Sequence, residues 1–116
     1  MASSVGEGLV TPPYFVLENG DVSAYPDHRA IEKHLEPVDV KNGAYRIFDS
    51  TGTEFAITVT KGTVHVGDRV GNDPEYLAKT LRRFLAGVSQ RWGIDAAQLA
   101  GAALPELVKP FTTRMR

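Results

Sequence analysis

Tyr45-Arg-Ile-Phe-Asp-Ser-Thr-Gly-Thr-Glu-Phe-Ala-Ile-Thr-Val-Thr-Lys-Gly-Thr-Val-His-Val-Gly67 decides the fold of this 116-residue chain. Aromatic and β-branched residues dominate the stretch, and two glycine-bearing turns divide it into three strand-like runs. The first turn sets the register. A two-residue Thr51-Gly52 loop would pair Phe48 with Phe55 and turn Arg46 toward the core. A three-residue Ser50-Thr51-Gly52 loop, with Gly52 left-handed in a bulge, pairs Asp49 with Thr53, Ile47 with Phe55 and Tyr45 with Ile57. The second register is expected, because a slip of one residue puts the wrong face inside. Lys61-Gly62 closes the next hairpin and pairs Thr60 with Thr63, Val59 with Val64 and Ile57 with Val66. Tyr45, Ile47, Phe55, Ile57, Val59, Val64 and Val66 then share one apolar face. Arg46, Phe48, Glu54, Ala56, Thr58 and His65 share the other, which is expected to meet water.

Working outward, residues 1–11 are patternless and rich in Ser and Gly, which predicts a disordered tail before a single domain over 12–116. Tyr14-Phe-Val-Leu-Glu18 and Asp21-Val-Ser-Ala-Tyr25 flank Asn19-Gly20, a pair suited to the positive φ of a type I′ turn. Asp27 can cap a short helix with Ala30, Ile31, His34 and Leu35 on one face, and Pro37 stops it. Val38-Asp-Val40 is expected as an extended lead into Asn42-Gly43. Asp73-Pro74 pairs an N-cap with a proline at the first helical position. The predicted helix runs to about Trp92, with Leu77, Leu81, Phe84, Leu85, Val88 and Trp92 as its apolar stripe and Gly93 ending it. Asp95 and Gln98 start a last, alanine-rich helix that Pro105 breaks. The order predicts an α+β fold. An N-terminal hairpin and a three-stranded meander make an antiparallel sheet, one short helix is inserted, and two C-terminal helices pack on one face.

Composition narrows the chemistry. With no cysteine there is no disulfide, thiolate metal site or cysteine nucleophile, which suits a reducing cytoplasm. No apolar run approaches the roughly 20 residues that span a bilayer, and no basic-then-apolar segment marks a signal peptide. The net charge of −1 is unevenly placed, −5 over residues 1–60 and +4 over residues 61–116. Such a dipole can steer a charged partner, unless folding brings the halves together. Lys79, Arg82, Arg83, Arg91, Lys109, Arg114 and Arg116, with Phe48 as a stacking ring, resemble the parts of a single-strand binder. The pI of about 6.3 argues against nucleic acid.

No catalytic set emerges. His28 and His34 are six positions apart on one helix and point away from each other. His28 and Glu32 could share a metal, yet two ligands do not make a site. No serine stands in a nucleophile elbow. Asp21, Asp27, Asp49, Asp73 and Asp95 are accounted for by turns and caps. The segment Val66-Gly-Asp-Arg-Val-Gly-Asn72, read as a loop over 67–73 before a helix N-terminus, lacks a phosphate-loop pattern. It is the place where His65, Asp68, Arg69 and Asn72 would hold a small ligand. No metal or cofactor is called for.

Leu35-Glu-Pro-Val-Asp-Val40, Asn42-Gly-Ala-Tyr45 and Phe48-Asp-Ser-Thr-Gly-Thr-Glu-Phe55 resemble a pattern of small bacterial α+β proteins. Among such proteins are immunity proteins, which block a toxin by surface contact. The resemblance covers roughly residues 14–70 and implies the fold. Small size, the lack of a catalytic set, an acidic N-terminal half and an exposed sheet face lead to the expectation of a bacterial cytoplasmic domain that binds a protein partner and performs no catalysis. The contacts expected for an immunity or antitoxin-like inhibitor are Asp21, Asp27, Glu32, Glu36, Phe48 and Glu54. A small ligand-binding or enzymatic domain on the 67–73 segment is the alternative. A third reading is a homodimer joined through an edge strand or the Leu77–Trp92 helix.

Overall fold

The computed structural model describes residues 12–116, so the expected tail over 1–11 lies outside the described residues. The chain order is β1 (Tyr14–Glu18), β2 (Asp21–Tyr25), α1 (His28–His34), α2 (Pro37–Lys41), β3 (Arg46–Phe48), β4 (Thr53–Thr60), β5 (Thr63–Asn72), α3 (Pro74–Trp92), α4 (Ala96–Leu99) and α5 (Leu104–Val108), followed by a 3₁₀ turn at Lys109–Phe111. The strands form one five-stranded antiparallel sheet in the order β2-β1-β3-β4-β5.

The register follows the turn chemistry. Asn19 and Gly20 take φ of 54° and 88°, so β1 and β2 pair directly, with Glu18 opposite Asp21. Ile47 pairs with Phe55, and the Asp49 N–H donates to the Thr53 carbonyl at 2.9 Å, as the three-residue loop requires. Thr60–Thr63, Val59–Val64 and Ile57–Val66 pair across the Lys61-Gly62 turn. β3 begins only at Arg46, so the expected Tyr45–Ile57 pair lies outside the ladder. Tyr45 instead packs, half-buried, against the cluster that contains Ile47.

Burial on both faces is the main departure from a one-sided sheet. Tyr14-Phe-Val-Leu17 is buried without a break because β1 is an inner strand with helices above and below. Phe15, Leu17, Val22, Ala24 and Phe48 pack on one side against Leu77, Leu81, Leu85 and Val88 of α3, Leu107 and Val108 of α5, and Phe111. Tyr14, Val16, Tyr25, Ile47, Phe55 and Val64 pack on the other side against Ile31, Leu35 and Val40. The C-terminal helices therefore cover one face, and α1 and α2 cover the other. The meander face that sequence assigned to water is covered in part by α3, which leaves Phe48 fully buried.

Three local expectations are corrected. Pro37–Lys41 is helical, not extended. Pro37 ends α1 at His34 but itself supplies the first turn of α2, where a missing N–H costs nothing. Pro105 likewise opens α5 instead of breaking one long helix, so the alanine-rich segment is a single turn, Ala96–Leu99. The 67–73 segment is no loop. β5 continues to Asn72, pairing Arg69 with Phe55, Gly71 with Glu54 and Asn72 with Thr53 through two register shifts. Gly67 and Gly71 lie in the stretch that absorbs these irregularities, which is why the composition reads as a turn.

The sheet is tied to α3 at the Ser50-Thr51-Gly52 turn. The Asp73 N–H donates to the Gly52 carbonyl at 2.8 Å, and the Asp73 carboxylate caps α3 by accepting from the Tyr76 N–H at 3.0 Å. Gly93, with φ of 67°, closes the helix at its other end.

Candidate functional site

A cleft of about 500 Å³ lies between α3 and the tops of β1 and β3. Its strand-side wall is Leu17, the Asn19-Gly20 turn, Gly43, Ala44 and Arg46. The opposite wall is Tyr76, Lys79, Thr80 and Arg83, which recur at helical spacing and so share one stripe of α3. The same helix turns Leu77 and Leu81 into the core, and this rotation leaves the polar stripe at the cleft. No carboxylate lines the cavity, whereas Arg46, Lys79 and Arg83 do.

Arg46 is fixed from three sides. Its Nε and Nη2 donate to Glu54 Oε2 and Oε1 at 3.0 and 2.8 Å, a two-pronged pair. Its guanidinium lies 4.4 Å from the centre of the Tyr76 ring and 5.1 Å from that of Phe48. The hydrogen bonds to Glu54 push its pKa up further, so it is a permanent cation. Lys79 and Arg83 are exposed, and among the described residues no ion pair or hydrogen bond engages either side chain.

A smaller depression of about 220 Å³ lies on the other side of the β1–β2 hairpin, lined by Glu18, Asp21, Ser23, Tyr25, His34, Tyr45 and Arg116, among others. His34 Nε2 lies 3.1 Å from Arg116 Nη1 and accepts from it, since a guanidinium only donates. Burial raises the pKa values of Tyr25 and Tyr45, and Glu18 adds to the effect at both.

A third polar group is enclosed. Asp49 is completely buried. Its Oδ1 accepts from Thr51 N–H, Thr51 Oγ1 and Thr53 N–H at 2.9, 2.6 and 3.1 Å, while Oδ2 has no partner. The His28 ring meets those of Tyr14 and Phe55 at 4.6 and 5.6 Å, and its buried Nε2 is also unpartnered. Burial raises the Tyr14 pKa, with the charges of Asp49 and Asp27 in support. A tyrosine whose folded pKa exceeds its unfolded value of 10.0 stabilises the fold fully below that pH and loses the contribution as pH rises through the folded pKa. Stability is therefore expected to be insensitive to Tyr ionisation up to about pH 9 and to fall above pH 10. Denaturant midpoints measured against pH should show this limb, and Tyr14→Phe together with Tyr25→Phe should flatten it.

The sequence-derived residues do not assemble into one surface. Asp21 is exposed beside the smaller depression. Asp27 caps α1 by accepting from the Ala30 N–H, and Glu36 sits exposed at the N-cap position of α2. Glu32 accepts from the Val66 N–H at 2.8 Å and so covers one donor on the outer edge of β5. These α1 and α2 acids lie on the opposite face from Glu54, which is half-buried against Arg46. Phe48 cannot touch a partner or stack on a base, because α3 and Tyr76 cover it. His65, Asp68, Arg69 and Asn72 are exposed along β5 and line neither cavity. Asn72 Nδ2 instead donates to Thr53 Oγ1 at 3.3 Å. The 67–73 segment, expected as a loop, is a paired strand as far as Asn72, and a strand spreads these side chains along its length.

The Leu77–Trp92 helix turns its apolar stripe inward, and at the β5 edge Glu32 covers one backbone donor. Lys79 and Arg83, named from sequence among the cations of a single-strand binder, line the cleft with Asn19, Tyr76 and Thr80. The spacing of residues 76, 79, 80 and 83 was a visible signal, but which wall they would meet depended on how α3 crosses the sheet. Among the described residues, no group of three or more His, Asp or Glu is placed to hold a metal ion, and no helix is long and apolar enough to cross a membrane. No family model, curated protein or solved structure matches this chain.

Proposed function

We propose that this domain acts by binding a protein partner, as an inhibitor of the immunity or antitoxin type that occludes its target. The observation that carries the reading is the half of the sheet that α3 leaves uncovered. On this face Thr58 stands opposite His65 and Thr60 opposite Thr63, all four exposed, with Ala56 and Gly67 between them and the Arg46–Glu54 pair. The result is a patch of exposed polar side chains, with a cationic cleft and α3 alongside. A partner can approach the backbone closely there, and complementary charge would speed its arrival. The structural duties of other acids support the same reading. Asp27, Asp73 and Asp95 are helix caps, Asp49 holds a turn and Glu32 covers a strand edge, so each commits an oxygen to structure. Of the acids expected at an interface, Glu54 lies on this face, where both its oxygens are paired with Arg46.

The test uses the product of the neighbouring gene as a purified candidate partner. Thr58→Arg with His65→Glu should leave the melting temperature unchanged and weaken binding at least tenfold, a loss of about 1.4 kcal/mol measured by calorimetry. Lys33→Glu with Glu36→Arg, on the opposite face, should leave binding intact. The reverse pattern would assign the interface to α1 and α2 and overturn the proposal.

A further inference from the structure

We infer that the cleft between α3 and the 19–20 and 43–44 turns is a binding site for a small phosphate monoester. This assignment is independent of the docking surface proposed above. It starts from a charge imbalance. Arg46, Lys79 and Arg83 border one cavity, and no lining residue is acidic. Glu54 neutralises Arg46 from behind, but nothing among the described residues neutralises Lys79 or Arg83. Two uncommitted positive charges therefore face one space.

The dianion is the matching ligand. A phosphate monoester carries about −1.5 to −2 at neutral pH and presents three acceptor oxygens. A carboxylate or a sulfate ester, with a single negative charge, would leave one cation unmatched. The donors differ in a useful way. Arg83 can offer a planar fork, Lys79 a compact point charge, and Asn19, held in the left-handed turn with φ of 54°, an amide N–H₂. Thr80 is not a further donor, because its hydroxyl proton already goes to the Tyr76 carbonyl at 2.9 Å. Arg46, its charge balanced by Glu54, is an immobilised wall held by that pair and the Tyr76 ring, so little side-chain freedom is lost there when an anion arrives.

Size argues for an ester over the bare ion. A volume of about 500 Å³ exceeds what one phosphate group fills and falls within the roughly 300–1,000 Å³ common for small-molecule sites. Leu17, Ala44 and the partly exposed Tyr76 ring give the remainder of the ligand an apolar surface. Gly20 and Gly43 add no side chain to the lining.

Phenyl phosphate titrated into the isotopically labelled full chain tests the assignment by amide chemical shifts, with phenyl sulfate and inorganic phosphate as parallel arms at constant ionic strength. Phenyl phosphate should shift Asn19, Gly20, Ala44 and Thr80 saturably, with a Kd of about 0.1 mM. Phenyl sulfate should bind at least tenfold more weakly. Phenyl phosphate affinity should fall as pH drops below about 6, where the dianion gains a proton. Lys79→Gln with Arg83→Gln should weaken binding at least tenfold without lowering the melting temperature, because both side chains are exposed. No saturable shift up to about 10 mM, equal binding of the sulfate, or indifference to the double substitution would overturn the site as mere charge screening. Inorganic phosphate binding as tightly as the ester would overturn the ester assignment.

Discussion

Gly52→Ala is expected to destabilise the domain by about 2–5 kcal/mol, the sum of backbone strain and forced displacement of a packed neighbour. Gly52 has φ of 90°, a conformation that L side chains rarely adopt. Space is the second obstacle. A Cβ built there overlaps Pro74 Cα and comes within 2.7 Å of the Pro74 nitrogen, which are backbone atoms at the first turn of α3. The Gly52 carbonyl also accepts from the Asp73 N–H, so a turn that moves away loses this bond as well. The consequence reaches beyond the hairpin, because α3 supplies Leu77, Leu81, Leu85 and Val88 to the core and Tyr76, Lys79, Thr80 and Arg83 to the cleft. Urea denaturation followed by circular dichroism measures the loss. Gly20→Ala is the control. It has the same sign of φ but no atom within 4 Å, so it should cost only the strain, about 1–2 kcal/mol. Equal effects at the two positions would show that Gly52 does not fix the helix against the hairpin.

Asp49→Ala is expected to cost about 2–4 kcal/mol in the same assay, because hydrogen bonds to a charged acceptor are strong and a buried donor left bare is expensive. Three donors converge on Asp49 Oδ1, and the Thr53 N–H among them is buried. Asp49→Asn keeps an oxygen at that position and is expected to recover most of the loss. If Asn were as damaging as Ala, the charge of the carboxylate, and not its accepting oxygen, would be holding the turn. If both were neutral, Asp49 would have no structural role, and its unpartnered Oδ2 would need another explanation.

These two residues also show how far the sequence was legible. Asp49-Ser-Thr-Gly-Thr53 states its own geometry, since a left-handed glycine and an Asx-type acceptor within five positions leave one good register. The Asn19-Gly20 hairpin, the caps at Asp27, Asp73 and Asp95, and the end of α3 at Gly93 were readable for the same reason: each is decided by contacts within a few residues. What failed was decided at longer range. Phe48 alternates with Ile47 and so looked solvent-facing. Only the path of α3 across the sheet buries it. Val66-Gly-Asp-Arg-Val-Gly-Asn72 has turn composition, yet β4 offers a partner along its whole length, and pairing with bulges prevails over local preference. The prolines at 37 and 105 stop one helix in sequence terms and start the next in space. The cleft was invisible for a related reason. Its walls come from residues 17–20, 43–46 and 76–83, and no local pattern brings those three segments together.

The central claim is that the working surface is the half-sheet left open beside α3. The most direct measurement is an interface map, made by titrating the purified product of the neighbouring gene into the isotopically labelled chain and following every amide. Saturable shifts or broadening are expected at Ala56, Thr58, His65 and Gly67, with the α1 and α2 amides unchanged. Perturbation confined to residues 27–42, or turnover of a substrate by the chain without any partner, would contradict it.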